Sequence, residues 1–329
     1  MVFLFRDKSI ANIFFLLLLS LAVHLHFFIV PPPVVANVND GAISMLIANY
    51  ATSLPQSALF VVYVLVVVLQ AIRLNMVLGE MRMFQNNSYT TAMAYVLLSG
   101  ILPQWCSISS ALVANFLLIW IFIKLSRLYN HPSPKTLLFN TGLIVGFSVI
   151  CYHPTAILIG VVLFALMVVR PFRLAEWVIL LMGVLLPYYF LFAFLYLGDR
   201  IAEFKSFLPY LQLHLPLTQW SIALIVQVSL LFVMMVAGLV YWQLTHKRMV
   251  IQIRKNWGVM MVMLFILLPI PFLFQQAGIE SAFMCAVPLA AFSSNAFSVP
   301  RRLVLPNILF WLAVAVLAYN NWTMVMQPG

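Results

Sequence analysis

Acidic side chains are scarce in this sequence. Asp and Glu together number 7 in 329 residues, and charged residues of both signs make up 7% of the chain. A globular domain is roughly one quarter charged, so this inventory cannot cover a water-facing surface. Apolar residues account for 65% of the chain, and the mean hydropathy is +1.08. The composition excludes an ordinary soluble domain and indicates a protein that lies in a lipid bilayer.

The few acids also limit the function. None of them falls at mid-membrane depth in the topology predicted below: Asp7, Asp40, Glu80, Glu176, Asp199, Glu203 and Glu280. Intramembrane carboxylates are the usual mark of proton and cation pathways, so a coupled transporter or pump is disfavoured. The sequence also lacks a phosphate-binding loop, a nucleophile elbow, a dinucleotide fingerprint and any His/Cys/Asp cluster with metal-ligand spacing. It therefore identifies no metal site and no cofactor.

Basic residues are more numerous and unevenly placed. The chain has 17 Lys and Arg residues and a net charge of +10. Fifteen of the 17 fall in alternate gaps between apolar segments, and only Arg200 and Lys205 fall in the other gaps. Lys and Arg are retained on the cytoplasmic side during insertion, which predicts a bacterial inner-membrane protein with a cytoplasmic N-terminus. Short loops facing anionic lipid headgroups explain the charge, and nucleic acid is not predicted as a partner.

The apolar segments predict an all-α polytopic membrane protein. We place about eleven transmembrane helices near residues 10–30, 56–73, 89–103, 107–126, 136–152, 155–170, 176–197, 219–242, 257–274, 282–298 and 304–320. The first apolar run is too long for the core of a signal peptide, so an uncleaved span is predicted there. The odd count places the C-terminus in the periplasm. The whole chain, 1–329, is predicted to be a single integral-membrane domain.

Three connections between spans carry amphipathic or strongly basic stretches. Two outer loops, 31–55 and 198–218, each contain an amphipathic stretch that is typical of a short helix at the membrane surface. A basic connector, 244–256, lies on the predicted cytoplasmic side. Within the fifth span, Gly142 and Gly146 form a GxxxG pattern, which predicts close packing against another helix of the same chain.

Asp40 is the candidate catalytic residue of the first outer loop. In a wet cavity at the membrane surface, its carboxylate could act as a general base toward an acceptor or ligate a divalent metal ion. Asp40 also directly precedes the predicted surface helix, where Asp is a favoured N-cap residue. Both interpretations are open from the sequence, and capping is the more ordinary role.

Four further residues are candidates for an outer binding site. Arg200 and Lys205 are predicted to bind a lipid phosphate because they are the only outer cations. Glu203 lies one helical turn from Arg200, so a surface ion pair is an equal alternative. His24 and His153 fall near outer span ends and are candidate polar residues of a cavity. Histidines at such positions more often satisfy local hydrogen bonds at the interface.

Residues 86–197 carry a resemblance to known proteins. The stretch LFNTGLIVGFSVICYHPTAILIGVVLFALMVVRPFRLAEWVILLMGVLLPYYFLFAFLYL resembles a family of bacterial polytopic inner-membrane proteins with no assigned activity. Residues 88–127, which begin SYTTAMAYVLLSGILPQW, and the following GLIVGFSVICYHPTAIL are more distantly similar to the GT-C class of integral-membrane glycosyltransferases. That similarity implies a GT-C-like helical bundle, a polyprenyl-phosphate-linked sugar as donor, and a first-loop acid that maps to Asp40. Many members carry paired acids in this loop, whereas this chain has a lone Asp40-Gly41.

Three functions stay open from the sequence. The first is an envelope glycosyltransferase, in which Arg200 and Lys205 bind the donor phosphate and Asp40 activates the acceptor, or a degenerate relative that keeps the fold without the activity. The second is a non-enzymatic scaffold that binds other membrane proteins or lipids through its basic connectors. The third is a lipid or glycolipid translocator, for which polar residues inside the bundle could form a tract: Asn115, Asn140, Gln227 and Asn295.

Overall fold

In a computed structural model, the structure describes residues 2–7, 9, 11–37, 40–86, 88–129, 131–213, 221–274 and 277–326. These residues form fourteen α-helices: α1 (Val2–Arg6), α2 (Ala11–Val23), α3 (Ala42–Tyr50), α4 (Gln56–Glu80), α5 (Thr90–Ile101), α6 (Ser110–Ser126), α7 (Pro134–Cys151), α8 (Ile157–Val169), α9 (Leu174–Leu197), α10 (Ile222–His246), α11 (Ile251–Leu267), α12 (Ile270–Leu273), α13 (Ala286–Ser298) and α14 (Val304–Met326). Two short parallel strands pair with each other, β1 (Val34–Val35) and β2 (Ile108–Ser109). Residues 214–220, which include the end of the second predicted outer loop, and the C-terminal 327–329 lie outside the described residues.

The helices agree with the predicted multi-pass architecture. Within the described ranges, six are long and apolar enough to cross a membrane: Gln56–Glu80, Pro134–Cys151, Leu174–Leu197, Ile222–His246, Ile251–Leu273 and Val304–Met326. Four shorter apolar helices occupy further predicted spans: Ala11–Val23, Thr90–Ile101, Ser110–Ser126 and His153–Val169. The total of eleven spans and their orientation stay predictions, because the shorter helices fall below the ~20 residues of a perpendicular crossing.

Two short helices form the centre of the bundle. All 12 residues of α5 are buried, and in α13 every residue except Ser298 is buried. The two helices pack against each other, with α4 against α5 and α10 against α13. By contrast, helices α9 and α10 are mostly exposed. In the most apolar 18-residue stretch of each helix, only 22% of α9 and 28% of α10 is buried. Exposed apolar helices of this kind suit contact with lipid, since hydrocarbon does not penalise their surface.

Buried polar side chains connect the inner helices. The Gln70 Nε2 group donates to the Leu112 carbonyl oxygen at 2.6 Å, and the Tyr95 hydroxyl donates to Gln70 Oε1 at 2.7 Å. Asn115 Nδ2 donates to the Tyr95 hydroxyl oxygen at 3.0 Å. Such bonds hold the helices in register, because an unpartnered polar group in apolar surroundings is costly. Asn115 therefore contributes to helix packing.

The GxxxG pattern of α7 packs within the chain, as predicted. The backbones of α7 and α9 approach so closely that a Cβ at Gly142 would overlap the Leu180 carbonyl oxygen. A Cβ at Gly146 would likewise overlap the Val184 carbonyl oxygen, and Gly183 supplies the matching gap on α9. Small residues permit this contact because they leave the backbone uncovered. The resulting α7–α9 pair positions the connections that follow each of the two helices.

The predicted basic connector is shorter than expected. Helix α10 continues to His246 and α11 begins at Ile251, so residues 247–250 alone join the two helices. The segment 244–256 contains no Gly or Pro, and its residues therefore extend the neighbouring helices. The cations of this segment consequently lie at the ends of two long helices.

Candidate functional site

A short strand pair fixes the first outer loop to the bundle. Strand β1 runs parallel to β2, with Val34 opposite Ile108, and the Ile108 N–H donates to the Pro33 carbonyl oxygen at 2.9 Å. The preceding prolines favour an extended backbone, which suits entry into a strand. Later in the same loop, α3 packs against α6 and α7. Asp40 is thereby held beside the end of α7.

Gly41, not Asp40, caps the helix of the first loop. Helix α3 begins at Ala42, Gly41 has a φ of 117°, and no side chain caps this helix. A Cβ at Gly41 would lie 2.7 Å from the Cys151 carbonyl oxygen, so both the backbone conformation and the available space require glycine. The predicted N-cap role of Asp40 is wrong, because the turn at Gly41 separates Asp40 from the first turn of α3. Asp40 is instead buried, with 6% exposure.

His153 reaches the same region from the end of α7. A 3₁₀ helix, His153–Ala156, turns the chain from α7 into α8. Thr155 stabilises this turn, since its N–H and its hydroxyl both donate to the Tyr152 carbonyl oxygen, at 3.0 and 2.7 Å. His153 is 6% exposed and lines the same cavity as Asp40.

Lys205 comes from the second outer loop. This loop forms a short helix of the 3₁₀ type, Ile201–Phe207, and then runs on toward α12. The Gln212 N–H donates to the Leu273 carbonyl oxygen at 3.0 Å, which ties the loop to the end of α12. Lys205 is exposed, and its side chain lies at the edge of the cavity that contains Asp40.

These three residues line one cavity of about 250 Å³. Its remaining lining residues are Ser206, Leu208, Tyr210 and Phe274. Asp40 and His153 are buried and form its floor, whereas Lys205 and Tyr210 are exposed and form its mouth. The cavity therefore holds a carboxylate and an imidazole that are largely shielded from bulk water, with a cation at its exposed edge.

The environment of Asp40 changes its acidity. The pKa of Asp40 is raised to about 6 in total: burial raises it most, a hydrogen bond with the Asn37 side chain lowers it, and the charge of Glu280 raises it. A carboxylate with a pKa near the working pH accepts a proton more readily than an ordinary Asp, yet it is still largely ionised at neutral pH. Asp40 thus has the acidity expected of a general base.

Glu280 is a residue of this region that the sequence analysis did not single out. It lies in a 3₁₀ helix, Ile279–Cys285, and its carboxylate folds back so that a Cβ at Gly278 would overlap Glu280 Oε2. Burial raises the pKa of Glu280. Its position in the predicted topology could have indicated it, because Glu280 falls in a predicted outer connection, on the same side of the membrane as Asp40.

Arg200 is placed differently from Lys205. Its guanidinium donates two hydrogen bonds to the Glu203 carboxylate, at 2.7 Å each, and this interaction raises the pKa of Arg200. The two side chains are 63% and 45% exposed, so the pair lies at the surface. The structure thus contains the ion pair that the sequence offered as the alternative, and it brings only Lys205 to the cavity that holds Asp40.

His24 also lies away from the Asp40 cavity. It is fully buried, and its Nδ1 is 2.9 Å from the Ser20 carbonyl oxygen. Its ring stacks on Phe27 with a centroid distance of 5.5 Å and meets Tyr63 edge-on at 5.0 Å. His24 therefore packs between the end of α2 and helix α4.

The cavity can act on protons and on anions. It combines a carboxylate of raised pKa, an imidazole, an ammonium group and a phenol, which suffice to accept a proton from a hydroxyl and to bind a phosphate. Within the described ranges, no group of three or more His, Cys, Asp or Glu side chains is arranged to hold a metal ion. No family model, no curated protein and no solved structure matches this chain.

Proposed function

We propose that this chain is a multi-pass membrane glycosyltransferase that uses a polyprenyl-phosphate-linked sugar as donor at the outer face of a bacterial inner membrane. The observation that carries the proposal is the meeting of Asp40, His153 and Lys205 in one cavity, although they come from three separate connections of the chain. The GT-C-like bundle implied by the sequence resemblance agrees with this reaction. Active sites are commonly assembled from loops on a rigid scaffold in this way.

Asp40 is the proposed general base. The hydroxyl oxygen of the acceptor forms a bond to the anomeric carbon of the sugar while its proton passes to the Asp40 carboxylate. The bond between that carbon and the phosphate oxygen breaks, and its electron pair stays on the released polyprenyl phosphate. The buried position of Asp40 and its pKa of about 6 support this role, because the base must be ionised before the reaction and must then hold a proton.

Lys205 is the proposed partner of the phosphate. Its ammonium group lies at the mouth of the cavity, and within the described ranges it forms no ion pair with an acid. As the sugar–phosphate bond breaks, negative charge grows on the leaving phosphate, and a nearby cation stabilises that charge. The adjoining segment exposes apolar side chains that can contact the lipid tail: Leu208, Tyr210, Leu211 and Leu213. Cation and apolar surface are thus adjacent, as a lipid phosphate requires.

His153 is proposed to orient the acceptor. It shares the floor of the cavity with Asp40, so its imidazole can hydrogen-bond a hydroxyl group that approaches the carboxylate. Its position depends on the turn that Thr155 stabilises at the end of α7. His153 is therefore a positioning residue in this proposal, and Asp40 is the residue that takes the proton.

The alternatives receive less support. A translocator needs a continuous polar path, but Gln227 Nε2 donates to Asn320 Oδ1 at 2.7 Å, and Asn295 Nδ2 donates to the Phe292 carbonyl oxygen of its own helix at 3.2 Å. These groups are engaged in packing. A scaffold gives no reason to bury an acid and a histidine at the floor of a cavity, where their burial costs free energy. The transferase accounts for that burial.

The test is lipid mass spectrometry of a strain that lacks this protein. The strain is complemented with the native chain, with Asp40→Asn, or with the control Asp199→Asn. Asp199 is an exposed outer acid with a φ of 53°, a conformation that Asn also adopts readily. We expect a polyprenyl-linked sugar to accumulate in the deletion strain and with Asp40→Asn, and to be cleared by the native chain and by Asp199→Asn. Equal clearance by Asp40→Asn, at equal protein level in the membrane, contradicts the proposal.

A further inference from the structure

A second opening, of about 450 Å³, lies between α8, α10 and α11. We call it the α8–α10–α11 groove. Its walls are mostly apolar, with Phe164 and Val168 from α8 and with Val262 and Phe265 from α11. Its polar lining residues, His246 and Arg254, lie together at one end, where α10 ends and α11 begins. The groove is therefore an apolar channel with a cationic end.

Gly258 maintains the shape of this groove. A Cβ at position 258 would lie 2.8 Å from Val168 Cγ1, so any other residue would push the two helices apart or move Val168. Because Gly258 has no side chain, α8 and α11 stay close at this level. Phe265 is 60% exposed further along the groove. An exposed apolar wall of this kind is suited to lipid and not to water.

The groove has the length of one leaflet. From Arg254 to Ile266, which both line it, α11 rises about 18 Å at the ~1.5 Å per residue of an α-helix. Half of a hydrocarbon core of ~30 Å is ~15 Å. With Arg254 at the level of the headgroups, an acyl chain lying along α11 would reach the middle of the bilayer at the far end of the groove.

The charge at the groove end favours an anion. The described structure contains no ion pair or side-chain hydrogen bond of Arg254. Its neighbour Lys255 is engaged, since its Nζ donates to the Val169 carbonyl oxygen at 2.6 Å. The segment 244–256 contains further cations and no acid. An uncommitted guanidinium in a cationic surrounding is the expected partner of a phosphate group.

We propose that the α8–α10–α11 groove binds one anionic phospholipid of the adjoining leaflet. Its acyl chain lies along α11 between Val168 and Phe265, and its phosphate contacts the Arg254 guanidinium. The site is separate from the Asp40 cavity and does not rest on the proposed transferase activity. The site binds this lipid through contacts with both its acyl chain and its headgroup. The cations of the connector 244–256 alone would attract anionic lipids only through their charge.

The test uses quenching of tryptophan fluorescence by brominated lipid. The full chain is reconstituted in phosphatidylcholine vesicles with increasing fractions of phosphatidylglycerol that carries brominated acyl chains. Trp242 lines the groove, so the difference between the native chain and Trp242→Phe isolates its signal. We expect this signal to saturate at a low phosphatidylglycerol fraction, and Arg254→Gln to need an about fivefold higher fraction, since each cation near an anionic surface contributes about that factor.

Two matched controls separate the groove from general charge and bulk. Arg248→Gln removes a cation of the same connector that does not line the groove, and we expect the saturation point to stay unchanged. Val262→Trp fills the groove and should abolish the saturable component, whereas Val240→Trp places the same bulk on an exposed face of α10 and should preserve it. Trp242 is compared with its Phe variant in each background. Equal quenching by brominated phosphatidylcholine, or equal shifts for Arg254→Gln and Arg248→Gln, would overturn the proposal.

Discussion

The Asp40 cavity and the α8–α10–α11 groove differ in what builds them. The Asp40 cavity is lined by connections and 3₁₀ turns, and it contains an acid, a histidine and a cation. The α8–α10–α11 groove is lined by three helices and is apolar except at one end. Connections can present polar groups because they lie at the surface, whereas helices in hydrocarbon must satisfy their own backbone and expose apolar side chains. The two proposals therefore place proton chemistry and lipid binding in different kinds of structure.

The largest effect is expected from a variant that disrupts the Asp40 cavity and leaves the α8–α10–α11 groove intact. Gly41→Val forces a β-branched residue into a positive φ and against the end of α7. We expect it to lower the free energy of unfolding by on the order of 3 kcal/mol and to abolish sugar transfer. The measurements are thermal unfolding in detergent micelles and the lipid assay. The saturable quenching at Trp242 should persist in the molecules that stay folded.

Gly160→Ala is the matched control for that variant. A Cβ at Gly160 would meet Ile266 Cγ2 at 3.9 Å, an ordinary contact, and Ala is the better helix former. We expect transfer to equal that of the native chain and stability to equal or slightly exceed it. Should Gly41→Val unfold at the same temperature as Gly160→Ala, the close contact between Gly41 and the end of α7 would not hold the cavity together.

Removing the cation of each opening in turn sharpens the comparison. Lys205→Gln should raise the KM for the lipid-linked donor about tenfold, the effect of losing one charge-assisted hydrogen bond, and should leave the quenching at Trp242 unchanged. Arg254→Gln should leave the KM for the donor unchanged and should raise the phosphatidylglycerol fraction at which the quenching of Trp242 saturates. Both variants are measured in both assays. If either one alters both readouts, the two lipid sites are not independent.

The pH dependence of transfer tests Asp40 and its electrostatic coupling to Glu280. With Asp40 as base, the rate should rise as pH passes through about 6 and then level off, because only the ionised form accepts the proton. The negative charge of Glu280 raises the pKa of Asp40, so Glu280→Gln should move this midpoint to lower pH. Initial rates across the pH range give the midpoint. A shift to higher pH, or none, would exclude electrostatic coupling between the two acids.

The smallest effect is expected at Arg200. Its ion pair with Glu203 is exposed on both sides, and such pairs contribute little. Arg200→Gln should change the donor KM by less than about twofold. The comparison with Lys205→Gln decides which outer cation binds the phosphate. If Arg200→Gln raised the donor KM as much as Lys205→Gln does, Arg200 would also bind the phosphate.

Much of the fold could be predicted from the sequence. Helices longer than expected, such as α4 and α10, and the short buried α5 all fall on predicted apolar segments, because hydropathy is a local property of the chain. The contact behind the GxxxG pattern was also predictable, since Gly142 and Gly146 leave one helical face uncovered. The partner helix α9 was not predictable, because nothing in the spacing of two glycines specifies what packs on them.

The candidate site was predicted only in part. Asp40, His153 and Lys205 were nominated from their outer positions and their chemistry, and the structure brings them to one cavity. The N-cap role of Asp40 failed because Gly41 adopts a positive φ under a close contact with α7, which is a tertiary constraint. Glu280 was missed because its coupling to Asp40 depends on two connections far apart in the chain.

The sequence by itself determined that this is a helical multi-pass protein most of whose cations and acids lie at the ends and connections of its helices, because each residue's preference for lipid or water acts locally. Only the tertiary structure decided that Lys205 joins Asp40 and His153 while Arg200 pairs with Glu203 and His24 packs against Tyr63. Those outcomes depend on how closely α7 and α9 pack, and how the first loop pairs with β2, which bring distant connections together. Contacts of this kind arise from the shape of the whole bundle and are not properties of any one segment.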